Sequence, residues 1–213
     1  MTAEHRKTFA RIIAFGFVLA CRCAGPMNAG SETTGGVEIA VEGTTIRGTT
    51  TAGAVVMIFD AQYTAGDAAM LADTVTADGH GKVTFTGLPP GNYTLFVFPG
   101  GLSDSGAAVT GIPVETEDDS GFTDTVPFVP LRTIAGAVVK GDGIGPSSLV
   151  FIPGSPYRAE TDTEGKFSFA AVPEGSYRIT VRQLTESDSG DKSFIVDLSS
   201  TGSAVVEVTL DLQ

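Results

Sequence analysis

Residues 160–181 read ETDTEGKFSFAAVPEGSYRITV, and residues 76–97 read TADGHGKVTFTGLPPGNYTLFV. Setting Gly81-Lys82 on Gly165-Lys166, a shift of 84 residues, aligns the two stretches without a gap. Phe85 then meets Phe169, Leu88 meets Val172, Pro89 meets Pro173, Gly91 meets Gly175 and Tyr93 meets Tyr177. Leu95 and Val97 fall on Ile179 and Val181. One unit is therefore written twice, the mark of a repeat architecture. Val83-x-Phe85 and Phe167-x-Phe169 alternate apolar with polar, as half-buried strands do. Asp78-Gly79-His80-Gly81 and Asp162-Thr163-Glu164-Gly165 precede them as turns, because Asp bonds its own downstream backbone and Gly tolerates positive φ. Leu88-Pro89-Pro90-Gly91 and Val172-Pro173-Glu174-Gly175 read as tight corners. Tyr93 and Tyr177 follow, each expected to bury its ring and hydrogen-bond its hydroxyl locally.

Outward from these stretches, strands are predicted at residues 45–48, 55–59, 109–114 and 125–131 in the first copy. In the second they are predicted at 134–140, 148–152, 194–198 and 205–210. No segment shows a convincing 3.6-residue period, and residues 61–72, interrupted by Gly66, read as a loop. The prediction is all-β, with about seven strands per copy. A 42% hydrophobic content supports packed cores, and 27 Gly and 11 Pro supply the turns. Pro127 and Pro130 cannot donate to a ladder, so the strand holding them should be an edge or a stiff connector. It runs into Arg132-Thr133-Ile134 almost without a linker, so two domains, residues 37–131 and 132–213, are expected in rigid tandem.

At these residues the chain resembles the carboxypeptidase regulatory-like family, whose core pattern is T-D-x-x-G-x-F-x-F-x-x-[LV]-P-x-G-x-Y-x-[LIV]-x-V. Residues 161–181 follow it nearly throughout; residues 76–97 depart from it at Ala77 and at Val83, which replaces the first Phe. The resemblance implies two tandem transthyretin-like (prealbumin-like) Greek-key β-sandwiches over residues 37–213. Nothing in the chain resembles the catalytic domain of the metallocarboxypeptidases. Some relatives with this sandwich carry a Lys–Asn or Lys–Asp isopeptide crosslink promoted by a buried Glu. The second copy offers Lys140 with Asp197 or Asp211, but Arg182-Gln183 stands where related domains place the Glu, and the first copy has Arg47 in place of the Lys. No crosslink is expected.

The N-terminus reads as an address. His5, Arg6, Lys7 and Arg11 precede a nine-residue apolar run, residues 12–20. A bilayer span needs about 20 residues, whereas this length fits a secretory signal peptide, assigned to residues 1–20. Val18-Leu19-Ala20-Cys21 resembles the lipobox of bacterial lipoproteins, in which cleavage precedes a Cys that is then acylated. That resemblance makes Cys21 the lipidation site and places the protein in the cell envelope, secreted across the inner membrane and held at the outer membrane or surface. The alternative is plain secretion, since Val18-x-Ala20 also satisfies ordinary signal-peptidase cleavage. Residues 21–36, rich in Gly, Ser and Thr, read as the anchor and a flexible tether.

Composition narrows function further. A net charge of −12 and a pI near 4.4 argue against nucleic acid, which requires clustered Lys and Arg. The histidines are His5 and His80, and the cysteines are Cys21 and Cys23. The repeat region thus holds one His and no Cys, too few for a zinc site, and a Ser–His–Asp triad would have to use His80, which sits in a Gly-flanked turn. No enzymatic activity, cofactor or metal is predicted. The acidic stretch Glu115-Thr116-Glu117-Asp118-Asp119 lacks calcium-loop spacing and reads as a solvated hairpin. Asp78, Asp162 and Glu164 read as turn-formers, and Asn92-Tyr93-Thr94, a glycosylation-type triplet, as part of the corner. The expected function is a non-catalytic envelope lipoprotein serving as a surface spacer or as a protein-interaction and adhesion module. The alternative is a carbohydrate-binding module, because similar sandwiches form starch-binding-like folds. Its ligand contacts would be Tyr157, in the turn Pro153-Gly154-Ser155-Pro156-Tyr157, and Tyr63. Partners are then the membrane lipid and a cell-surface protein or polysaccharide.

Overall fold

The first copy runs through β1 (Gly36–Glu42), β2 (Thr45–Thr49), β3 (Val55–Asp60), β4 (Ala72–Thr76), β5 (Lys82–Phe85), β6 (Gly91–Phe98), β7 (Ser105–Val114) and β8 (Thr123–Pro127). Its sheets are β5-β2-β1-β8 and β4-β3-β6-β7. The second copy comprises β9 (Val129–Lys140), β10 (Gly143–Ile144), β11 (Ser148–Phe151), β12 (Arg158–Glu160), β13 (Lys166–Pro173), β14 (Ser176–Gln183), β15 (Lys192–Asp197) and β16 (Val205–Asp211). There β9 pairs with β13, β16 and the short β10, and the facing sheet is β12-β11-β14-β15. The computed structural model describes residues 35–64, 72–101, 103–116, 121–141, 143–145, 147–184, 190–198 and 205–212. The protein is all-β, and no helix occurs among the described residues.

Strand alternation builds the cores. In β1, Val37, Ile39 and Val41 are buried while Glu38 and Glu42 are exposed, the period of a sheet with one wet face. They join Ile46, Val56, Ile58, Val83, Phe85, Leu95, Val97 and Ile112 in one cluster. Each fully buried aliphatic or aromatic side chain contributes about 1.5–3 kcal/mol relative to exposure. A second cluster collects Ile134, Val138, Val150, Phe167, Phe169, Ile179, Val181 and Leu210.

The repeated motif forms the expected local structure. Asp78 Oδ1 accepts the backbone N–H of His80 at 2.8 Å and of Lys82 at 2.9 Å. Asp162 Oδ1 accepts those of Glu164 and Lys166, both at 2.8 Å. The donated bonds, those of Lys82 and His80 foremost, hold the Asp78 carboxyl below its ordinary value. Tyr93 donates its hydroxyl to the Pro89 carbonyl at 2.6 Å, and Tyr177 to that of Pro173 at 2.8 Å. Between strand and corner, Gly87 and Ala171, one repeat length apart, both adopt positive φ, at 67° and 58°. Ala171 is the one non-glycine residue with positive φ among those described.

Several expectations need correction. Residue 36, assigned to the tether, already belongs to β1, and β1 itself was not predicted; its carbonyl end is held by Thr50, whose Oγ1 donates to Gly36 O at 2.9 Å. β4, β10 and β12 are further strands outside the prediction. The single strand expected over 125–131 is two: the chain turns at the buried Phe128, whose N–H bonds Gly35 O at 2.8 Å. β8, ending in Pro127, is indeed an edge. β9 then runs for 12 residues straight through positions 131–132. In the second copy the place held by β1 beside β2 is taken by β16, parallel to β9, with Leu210 opposite Val138. Cys21, with residues 1–34, lies outside the described residues.

Candidate functional site

The junction between the copies is built from residues that each copy presents outward. β3, β6 and β7 of the first copy turn Phe59, Phe96, Met57, Phe98 and Ala108 away from their own core. These residues pack instead within the second copy's cluster. Phe96 meets Tyr157 edge-on, with ring centroids 5.5 Å apart and planes at 82°. Phe59 lies 6.1 Å from Phe96 and 5.2 Å from Tyr63, and Tyr157 lies 6.1 Å from Phe169. The five rings form one chain through both copies, in the tilted and T-shaped geometries that aromatic quadrupoles favour.

Tyr157 is the centre of this chain, not a displayed platform. The turn before it folds back on itself: Ile152 N–H bonds Tyr157 O at 3.0 Å, and the fully buried Ser155 donates Oγ to Ile152 O at 2.6 Å while accepting Tyr157 N–H at 3.1 Å. The side chain is 9% exposed, and its hydroxyl donates to the carbonyl of the left-handed Ala171 at 2.7 Å. Burial, with a smaller contribution from Tyr177, pushes that hydroxyl far above the usual tyrosine range. Tyr63, the other ring suspected of sugar contact, is half-buried against the same cluster. Both rings are therefore spent on the junction, and the proline-pinned turn packs Tyr157 against the first copy in the structural role favoured over sugar contact.

Backbone contacts lock the same surface. Gly154 N–H bonds Tyr63 O at 2.7 Å with φ of 70°. A Cβ there would stand 2.9 Å from Ala61 O, so this close approach requires glycine. β9 stitches the copies along another line: Val129 and Pro130 pair with Gly106 and Ser105 of β7, and Leu131 N–H bonds Asp104 O at 2.7 Å. Beside this seam Arg132 donates Nε and Nη2 to Glu174 Oε1, the Nε contact at 2.7 Å, with both side chains largely buried.

Next to the junction opens a cleft of about 470 Å³. Ala61, Gln62 and Thr110 of the first copy form one wall; Phe151, Arg178 and Thr180 of the second form another. Arg182 grips Asp191 through two hydrogen bonds, 2.8 and 2.7 Å, and stacks over Phe151 at 5.4 Å. That grip holds the Asp191 carboxyl below its ordinary value. The other residues singled out from sequence are scattered. Glu115 is exposed, and residues 117–120 lie outside the described residues. Lys140 is exposed at the end of β9, so it lacks the burial an isopeptide lysine would need. Among the described residues no group of three or more His, Cys, Asp or Glu is placed to hold a metal ion. The aromatic outer face of the first copy was not foreseen, although its signal was present: Phe96 and Phe98 interrupt the alternation of β6, which is buried on both faces.

No protein-family model matches the chain, and no curated protein matches it. Among solved structures it is similar to GBS52, the minor pilin of Streptococcus agalactiae, at 16% identity over 76% of this chain and 84% of that one, with a TM-score of 0.31. It is similar to the Bacillus anthracis TIE protein at 17% identity, over 84% of this chain and 34% of that one, with a TM-score of 0.32. The shaft pilin spaA of Lactobacillus rhamnosus GG matches at 11% identity, over 84% and 98% of the two chains, with a TM-score of 0.28. The β-sandwich assignment stands on the strand pairing described above.

Proposed function

We propose that this chain is a non-catalytic module of the bacterial cell surface, a stiff spacer that carries interaction surfaces away from a lipid anchor at Cys21. The observation that carries this reading is the junction. An aromatic chain from Phe59 to Phe169, the pairing of β9 with β7 and the Gly154–Tyr63 backbone bond join the copies without a linker. Interdomain interfaces are ordinarily more polar than obligate ones, and relative motion is the default unless the contact is large and apolar. The carboxypeptidase regulatory-like resemblance and the signal-like N-terminus fit this reading. The sugar-binding alternative loses its two rings to the junction. Residual dipolar couplings from both copies should fit one alignment tensor, and Cys21→Ser should move the protein out of the membrane fraction. Two independent tensors would refute the spacer, and unchanged fractionation would refute the anchor.

A further inference from the structure

The cleft beside the junction is electrostatically out of character with the chain. The formal net charge is −12, and four of the five described arginines are spent on carboxylates: Arg47 on Glu42, Arg132 on Glu174, Arg158 on Glu160 and Arg182 on Asp191. Arg178 is the fifth. It is exposed, it lines the cleft, and it has no carboxylate partner among the described residues. Among the described residues that line the cleft, the single carboxylate is that of Asp191, and Arg182 takes both of its oxygens. The cleft therefore holds an uncompensated guanidinium on an acidic protein, and a recess lined by one sign of charge draws ligands of the other.

We infer that this cleft binds a sugar acid, a polyhydroxylated molecule bearing one carboxylate, with Arg178 holding the carboxylate. A guanidinium meets a carboxylate through two parallel hydrogen bonds and keeps its charge at every accessible pH. Around it the cleft offers short hydroxyls. Ser176, Arg178 and Thr180 alternate along β14 on one face, and Ser193 of β15 bonds Thr180. Gln62 and Thr110 add an amide and a hydroxyl from the first copy. Hydroxyls and amides both donate and accept, as the hydroxyls of a ligand require. Ala61 and Pro153, each half-buried, supply apolar contact for the ligand's C–H groups. The volume of about 470 Å³ suits a small molecule. A peptide carboxylate is a poorer match. An extended peptide gains affinity from backbone pairing, and the strand beneath Arg178, β14, is already paired on both sides, with β11 and β15. Both copies contribute walls, so the site rests on the fixed junction of the spacer reading and not on the anchor.

Titration of the full chain with D-glucuronate, followed by calorimetry and by amide chemical shifts, tests the site. Saturable binding at one site with a Kd of about 1–10 mM is expected. D-glucose, which lacks the carboxylate, and acetate, which lacks the hydroxyls, should each bind at least about tenfold more weakly. Arg178→Gln should weaken glucuronate binding by at least about tenfold, and Thr110→Val, on the first copy's wall, by roughly two- to fivefold. Arg47→Gln, at an exposed arginine on the other sheet of the first copy, should leave it unchanged. Residual dipolar couplings of Arg178→Gln should still fit one alignment tensor, which separates loss of the site from loss of the junction. A parent that fits one tensor yet shows no saturation by about 50 mM glucuronate would overturn the site alone. Binding that survives Arg178→Gln would overturn it too. Acetate binding as tightly as glucuronate would mean an adventitious ion only, and N-acetylglycylglycine binding more tightly would assign the cleft to peptide carboxylates; either result overturns the sugar acid.

Discussion

Phe96 and Thr180 occupy the same place in two copies of one unit, and their difference decides what each copy can touch. Across the first sheet Met57, Phe96 and Ala108 stand side by side in register; across the second the row is Phe151, Thr180 and Ser193. The first row is apolar and is buried against the neighbouring copy. The second keeps one ring, Phe151, and covers it: Thr180 and Ser193 bond each other at 3.1 Å, and Arg182, where the first copy has Phe98, lies over the ring. A few substitutions on one face thus separate a row packed against the neighbouring copy from a row that lines an open, polar cleft.

Breaking the comparison at its centre should have the largest effect. Phe96→Thr gives the first copy the second copy's residue. It removes a ring that is 1% exposed and leaves Tyr157 without its edge-on partner, at an expected cost of about 3–5 kcal/mol. Urea unfolding followed separately through each copy should then show two transitions where the parent shows one. A single retained transition would mean that β9 alone couples the copies.

The next contrast lies in the turns. Gly81 and Gly165 both have φ of 75°. A Cβ on Gly81 would stand 1.9 Å from Thr50 O, whereas one on Gly165 would stand 2.7 Å from Val138 O. Both substitutions by Ala force the left-handed region and push on a backbone carbonyl, but Thr50 O beside β2 must give much further than Val138 O. Gly81→Ala is expected to cost roughly 3 kcal/mol or more and Gly165→Ala about 2 kcal/mol. Equal midpoint shifts in denaturant would show that the conformational penalty, not the clash, dominates.

The Asp turns, the Tyr corners and the strands that flank them were legible because each is decided within a few residues: a carboxylate reaching two N–H groups, a hydroxyl reaching a carbonyl four residues back. β1 was legible in principle, since Val37, Ile39 and Val41 alternate with polar residues, but it follows a Gly/Ser/Thr-rich stretch that reads as a tether. The destination of Tyr157 was not legible. Its turn was recognised, but the direction of its ring depends on Phe96, 61 positions earlier, and on a face of β6 whose partner lies in the other copy. Likewise nothing local says that β16 takes parallel to β9 the place that β1 takes antiparallel to β2.

Tyr157 sharpens the comparison more finely. Its ring serves the junction and its hydroxyl serves Ala171, so the two roles separate by substitution. Tyr157→Phe keeps the ring and strips one hydrogen bond from a carbonyl in a strained bulge, for an expected loss of about 1–2 kcal/mol. The single unfolding transition should be kept. If Tyr157→Phe also split the transition, the hydroxyl and its bulge, not the ring stack, would be what couples the copies.

The smallest expected effect tests the polar cover on the second copy. Asp191 is held below its ordinary value first by its hydrogen bond from Arg182, so the folded carboxyl protonates at lower pH than the unfolded one. The unfolded state therefore binds the proton more readily, and the pair stabilises the fold fully above the ordinary carboxyl range, near 3.8. That contribution fades as pH falls through the lowered folded value. The side chains are 46% and 38% exposed, so solvent screens them and the contribution at neutral pH should be under about 1 kcal/mol. Denaturant unfolding of the parent and of Asp191→Asn should differ slightly at pH 7, less in high salt, and converge once the pH has fallen below the lowered folded value. The parent's margin should vanish on acidification without any change in the junction, since Arg182 covers Phe151 and not the ring chain. A margin that persisted at low pH would assign the role of Asp191 to packing around the cleft instead of to charge.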